Sequence, residues 1–168
     1  MKYSHRELVK FAKKKLHCWG CLPIATEISF WSVTGQVADA IGWTARCFIL
    51  FECKSSRADF LRDKEKLFRI MPDHGMGDFR FYLTNAGVIK SEDEIPSGWG
   101  CYEISDGKIK HKFGVIYANA LPIPLNGNKS EEIGLMRSLF RRMAENKKGN
   151  GLVRNNTEKT EKTEVNHG

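Results

Sequence analysis

Three charged residues define the chemistry this chain can offer. In "CFILFECKSSRADF", residues Cys47 to Phe60, five apolar or aromatic residues run unbroken and are followed by Glu52, Cys53 and Lys54. On a strand, side chains two apart share a face, so Glu52 and Lys54 point together while Cys53 enters the opposite layer. Asp39, in "VADAIGW", is another isolated acid among apolar residues, and a tight turn brings it beside Glu52. Two carboxylates, a backbone carbonyl and water form an oxygen-only site suited to Mg2+ or Mn2+. A metal there acidifies water and stabilises the charge that develops on a phosphodiester under attack. The lysine orients the water, deprotonates it if the site lowers the ammonium pKa, or stabilises phosphate charge. A bare E-x-K is commonplace and reads by default as two solvent-exposed strand-end residues. Here Asp39, the gap of twelve residues to Glu52, the apolar strand and the Ser-Ser-Arg helix start make the set more specific.

The elements that must position these groups follow from periodicity. Ser4 to Leu16 reads as an amphipathic helix, with Leu8, Phe11, Ala12 and Leu16 on one stripe and lysines opposite. Leu22 to Phe30 reads as a first strand, "VTGQVADAIGW" as a turn at Gly35 and a second strand, and "TARCFILFECK" as a third. Short connections make these an antiparallel meander. Ser55 or Ser56 caps a helix over "RADFLRDKEKLFRI", whose apolar face is Phe60, Leu61, Leu67 and Phe68. "FRFYLT" is a further strand, and "CYEISDGKIKHKF" a hairpin turning at Asp106-Gly107. Glu131 to Asn146 closes the fold as a helix with Ile133, Met136, Phe140 and Met143 at helical spacing. Three hairpin-linked strands and a helical crossover predict an α/β fold, an α+β mixed sheet flanked by helices. Residues 1–146 form one domain and 147–168 a disordered polar tail.

With 168 residues and 41% hydrophobic content the chain can bury an ordinary core. Its apolar runs are too short to cross a membrane, and no secretion signal opens it, so a soluble cytoplasmic protein is expected. The excess of 27 Lys and Arg over 20 Asp and Glu gives a net charge of +7, which fits a polyanionic partner such as nucleic acid. The lysines of the first segment read as a solvated helix face with non-specific DNA attraction as a side effect. Arg57 and Lys64, with Ser55 and Ser56 at the helix start, are candidate phosphate contacts. Lys64 reads equally well as a lysine snorkelling along its own stem. Cys18 and Cys21 form a lone C-x-x-C, where a structural zinc normally needs two such pairs or added histidines. The favoured reading places them at a helix-to-strand junction with one packed inward; zinc or redox chemistry is the alternative. Trp19, Trp31, Trp43 and Trp99 read as core or core-edge residues.

The string "TEISF…GQVADAIGW…FILFECKSSRADFLRDKEKLFR…FRFYLTNAGVI" resembles the PD-(D/E)XK nucleases, which have the restriction-endonuclease-like fold. It is most similar to the branch of MmcB-type DNA repair proteins and related phage and bacterial nucleases. The similarity runs over residues 27 to 104, with Ala38 where the motif's name has proline. The resemblance implies an αβββαβ core, here with an additional C-terminal hairpin and helix, and a Mg2+- or Mn2+-dependent deoxyribonuclease. It implies Asp39, Glu52 and the Cys53 carbonyl as metal ligands and Lys54 as the residue serving the water. A further acid comes from Glu27 in the first strand or Glu7 in the first helix, with Glu27 ranked ahead. In that branch the helix after E-x-K carries basic and aromatic residues near Glu65-Lys66, from which Glu65 departs. Relatives often act as homodimers, and no segment here marks an interface. The alternative function is a catalytically silent DNA-binding or protein-interaction module on the same fold.

Overall fold

The computed structural model describes residues 2–28, 32–117 and 122–161. Helix α1 (His5–Cys18) begins with a capping box in which the Ser4 and Glu7 side chains each bind the other's backbone N–H. Its stripe Leu8, Val9, Ala12 and Leu16 is buried. Strands β1 (Ile24–Thr26), β2 (Ala40–Trp43) and β3 (Phe48–Lys54) follow, then helices α2 (Arg57–Asp63) and α3 (Leu67–Ile70). Strands β4 (Phe79–Asn85), β5 (Trp99–Ser105) and β6 (Lys108–Gly114) and helix α4 (Lys129–Glu161) complete the order. The first six predicted elements are thus found in the sequence αβββαβ, with the crossover helix broken in two and a C-terminal hairpin and helix added.

All six strands lie in one mixed sheet in chain order, β1 to β6. Neighbours are antiparallel from β1 to β3, parallel from β3 to β5, and antiparallel again between β5 and β6. The β5–β6 hairpin turns at Asp106-Gly107, where both residues have positive φ, 50° and 71°. That is the twist a two-residue hairpin loop demands. One sheet face packs Ile49, Phe51, Cys53, Phe81, Leu83 and Tyr102 against α1. The other buries Ile41, Leu50, Tyr82 and Trp99 with Phe60 of α2 and Leu135 of α4.

The predicted meander survives with shorter strands, because the pairing register uses only three residues of β1 and four of β2. Ser29, Phe30 and Trp31 fall outside the described residues. The helix expected to run unbroken to Ile70 stops at Asp63, and turns at Lys64–Lys66 separate it from α3. Asp63 causes the bend to matter, since Lys66 and Arg69 both come back to its carboxylate. Of the expected apolar face, Phe60 and Phe68 are buried and Leu61 is exposed. In α4 the buried face is also different. Glu132, Leu135 and Ser138 turn inward, while Ile133, Phe140 and Met143 are exposed. Buried Glu132 accepts the Gly77 N–H and pairs with Lys129, which fixes that rotation. The helical backbone continues to Glu161, beyond Asn146 where a polar tail is expected; residues 162–168 lie outside the described residues.

Candidate active site

The end of β3 assembles the charged set through strand register. Ala40 of β2 pairs with Phe51 of β3, so Asp39, one residue earlier, stands opposite Glu52. The Asp39 side chain fastens the junction: Oδ2 accepts the Cys53 N–H at 2.7 Å. On the β1 side its backbone carbonyl accepts the Glu27 N–H at 3.1 Å. Glu52 and Lys54 share one sheet face, with Lys54 Nζ 3.5 Å from Glu52 Oε2, and Cys53 is packed against α1 on the other. The structure therefore brings Asp39, Glu27, Glu52 and Lys54 to one strand end.

His5, at the start of α1, joins this group. Its Nε2 lies 3.4 Å from Glu27 Oε1 and 3.5 Å from Asp39 Oδ1. Glu7 does not. Two positions from His5 on a helix, it faces another side, where it completes the capping box with Ser4.

Beneath the strand end lies a charged network that the sequence does not reveal. Asp63, the last residue of α2, accepts Arg69 Nε at 2.7 Å and the Tyr82 hydroxyl at 2.9 Å. Lys54 Nζ and Lys66 Nζ lie 3.1 and 2.9 Å from its other oxygen. Arg69 NH2 in turn lies 2.9 Å from Glu52 Oε1. Tyr82 is the cross-strand neighbour of Glu52 in β4. Side-chain exposures of 2% for Glu52, 6% for Lys54, 1% for Asp63 and 2% for Arg69 show that the four charges are neutralised by one another rather than by water. The Arg69 guanidinium also lies over aromatic rings, 4.5 Å from the Trp99 centroid and 4.8 Å from that of Phe68.

Titration follows from these neighbours. Burial, then the Glu52 charge, raises the Asp39 carboxyl to about 7 against the pull of Lys54 and the Cys53 N–H. Burial disfavours the Lys54 ammonium, but Glu52, Asp63 and Asp39 outweigh it and raise its pKa. The acidic neighbours thus favour the charged form of Lys54. Burial pushes the Asp63 carboxyl up, and Arg69 and Lys54 overcome that to hold it well below the usual range. Burial likewise raises the Tyr82 phenol.

The expected phosphate contacts are placed differently. Ser56 caps α2 by accepting the Asp59 N–H, and the Ser55 carbonyl accepts Asn85 Nδ2. Arg57 is clamped by both oxygens of the Glu94 carboxylate and donates to the Val88 carbonyl, so it is already engaged. The hydrogen bond from Arg57 holds Glu94 down to about 2. Lys64 is exposed, with Nζ 5.8 Å from the Phe60 ring, the arrangement of a lysine lying along its own stem. Cys18 is exposed and Cys21 buried at the α1–β1 junction, as the favoured reading has it. Among the described residues no three His, Cys, Asp or Glu side chains form a ready-made metal cage.

No family model matches the chain, and no curated protein matches it. Among solved structures, a protein of unknown function from Silicibacter pomeroyi superposes with a TM-score of 0.57 over 90% of this chain and 97% of that one. The two share a fold. At 18% identity the likeness extends no further than that. Among the described residues no helix is long and apolar enough to cross a membrane.

His5, Asp63, Arg69 and Tyr82 are the site residues that sequence reasoning missed. Asp63 had a local signal, since it lies three positions after Phe60 on the helix stripe that must face the sheet. Arg69 had none, because its placement depends on the break between α2 and α3.

Proposed function

We propose that the protein is a divalent-cation-dependent deoxyribonuclease of the PD-(D/E)XK type, acting on DNA in the cytoplasm. The observation that carries this reading is the register at the strand end, with Asp39 opposite Glu52 and Lys54 next along the same face. The donors fit a hard divalent ion. Glu52 Oε1 is buried without an aligned hydrogen bond, and Asp39 is raised by burial and then by the Glu52 charge, two carboxylates whose mutual repulsion a cation between them would relieve. Mg2+ characteristically uses one or two carboxylates and completes its shell with water and phosphate oxygens, so a two-carboxylate site suffices. Asp39, Glu52 and the Cys53 carbonyl would hold it. When bound, it would supply charge neutralisation and acidified water.

The chain's own groups divide the remaining work. Lys54, kept protonated by Glu52 and Asp63, orients a water molecule and stabilises charge developing on the phosphate, instead of removing a proton. His5 stands 3.5 Å from the outer oxygen of Asp39 and orients it, with the Glu27 carboxylate 3.4 Å away on the same imidazole nitrogen. The net charge of +7 favours a polyanion.

The test is a panel of single-stranded, duplex, branched and mismatched DNA, with Mg2+ or Mn2+ and with EDTA. Wild type should cleave at least one of these only with metal, and Lys54→Met and Glu52→Gln, once shown to be folded, should be inert. A second reading, the silent DNA-binding module, is favoured by one observation: Glu52 and Lys54 are buried and mutually neutralised. Wild type that binds DNA yet is as inert as both variants on every substrate establishes that reading instead.

A further inference from the structure

The geometry points to Arg69 as an internal counterion of Glu52, one that yields this carboxylate when a divalent cation and a phosphodiester arrive, with α3 as the segment that moves. This inference rests on the metal-dependent reading of the same site. It adds a positioning residue and a conformational step that the charged triad does not contain.

Both oxygens of Glu52 already face cations of the chain itself, Oε1 the Arg69 guanidinium at 2.9 Å and Oε2 the Lys54 ammonium at 3.5 Å. A metal approaching Glu52 has to compete with them. Lys54 is fixed in the middle of the sheet by β3, whereas Arg69 is carried on a four-residue helix outside it.

The two contacts of Arg69 are unequal. Its Nε donates to Asp63 Oδ2 at 2.7 Å in good alignment. Toward Glu52 it offers charge alone: NH1, NH2 and Glu52 Oε1 are all buried without an aligned hydrogen bond among the described residues. A guanidinium is built to bind a carboxylate through parallel N–H···O bonds. Here only Nε makes such a bond, to Asp63, while the two terminal nitrogens make none and the group leans on Glu52 by charge. Releasing Glu52 therefore breaks an ion pair without an aligned hydrogen bond and leaves the hydrogen bond to Asp63 available as a pivot.

The segment around Arg69 has the features of a part that can shift. Turns at Lys64–Lys66 uncouple α3 from α2, and a 3-10 turn at Pro72–His74 follows it. Ile70 and Met71 are exposed, and among the side chains described in this stretch Phe68 and the guanidinium are the ones buried. The binding-competent fraction sets apparent affinity, so a counterion that occupied Glu52 in about nine molecules of ten would weaken metal binding about tenfold.

The test titrates Mn2+ by the EPR signal of the free ion into wild type, Arg69→Gln and Arg69→Lys, each checked for folding by circular dichroism. Arg69→Gln should bind Mn2+ about tenfold more tightly than wild type, with Arg69→Lys in between. In wild type, Mg2+ together with a phosphorothioate duplex should speed amide hydrogen exchange at Phe68–Met71. Equal affinities in all three proteins, with unchanged or slowed exchange in that segment, overturn the counterion role and leave the nuclease reading standing. Absence of Mn2+ binding in all three overturns both. If Arg69→Gln does not fold, the Arg69→Lys affinity and the wild-type exchange measurement decide the matter in the same way.

Discussion

Removing Asp63 tests whether the buried charges act as one unit. Asp63→Leu keeps the side-chain bulk and removes the carboxylate that Lys54 and Arg69 share, leaving Glu52 as the described acid in ion-pair reach of both. Breaking a buried ion pair from one side costs about 3–5 kcal/mol, a large part of the ~5–15 kcal/mol that holds a domain folded. For a chain of this size each kcal/mol lowers Tm by roughly 2–4 °C, so the midpoint should fall by about 6–20 °C. Lys66 adds little, because it is half-exposed and returns to water. The double variant Asp63→Leu/Arg69→Met removes one charge of each sign and leaves Glu52 and Lys54 balanced. Tyr82 loses its acceptor in both cases, a shared cost of about 1–3 kcal/mol. The double variant should therefore be more stable than Asp63→Leu by about 2 kcal/mol or more. Urea unfolding followed by far-UV circular dichroism in EDTA measures all four corners of the cycle. A loss under about 1 kcal/mol for Asp63→Leu, or a double variant as weak as the sum of the singles, refutes the coupling.

Other expectations follow from single contacts. Glu7→Ala should cost about 1 kcal/mol through the capping box and leave DNA cleavage unchanged; loss of cleavage at unchanged stability would return Glu7 to the site. Asp39 is raised from the ordinary 3.8 to about 7, so its contribution to stability is complete below about 4 and is lost as pH rises through about 7. Metal-free wild type should thus gain stability on going from pH 8 to pH 5, and Asp39→Asn should flatten that difference; an equal slope in the variant shows the reasoning to be wrong. Gly100→Ala would set a Cβ 2.1 Å from the Val115 carbonyl oxygen and 2.7 Å from the Phe81 ring, and should lower stability by about 2 kcal/mol or more in the same urea assay. In the native protein a thiol reagent should reach Cys18 first, with Cys21, Cys47, Cys53 and Cys101 reacting only on unfolding; burial also raises the Cys21 thiol to about 11.

Local pattern carried the frame of this site and little of its surroundings. The period-two face of β3 is enough to aim Glu52 and Lys54 together, and an acid thirteen positions upstream reaches Glu52 because the intervening turn is short. The hairpin at Asp106-Gly107 was legible for the same reason, as two residues there tolerate positive φ. The capping box of Ser4 and Glu7 was missed, although S-x-x-E before an apolar run signals it, and it explains why Glu7 is not at the site. What stayed hidden depends on partners far along the chain. Arg57 is claimed by Glu94, thirty-seven residues away, where a helix start alone suggests a phosphate contact. Arg69 has no local signal, because the break between α2 and α3 is what brings it to Asp63 under the sheet end. The rotation of α4 is set by Glu132, a buried acid whose partners, Gly77 and Lys129, lie partly outside its own helix.

Asn85, the last residue of β4, joins three distant stretches of chain. Its side chain accepts the Tyr3 N–H at 2.8 Å and donates both to the Tyr3 carbonyl at 2.8 Å and to the Ser55 carbonyl at 2.9 Å. The sheet itself asks for no such reach, because each strand lies beside its sequence neighbour. During folding the sheet can therefore zip up from adjacent hairpins and crossovers, while the rim that sets His5 against Asp39 waits for residues 3, 55 and 85 to meet. This strand end is then the last part of the molecule to assemble and the first to come undone, so the protein should lose the His5–Asp39 contact before it loses its sheet.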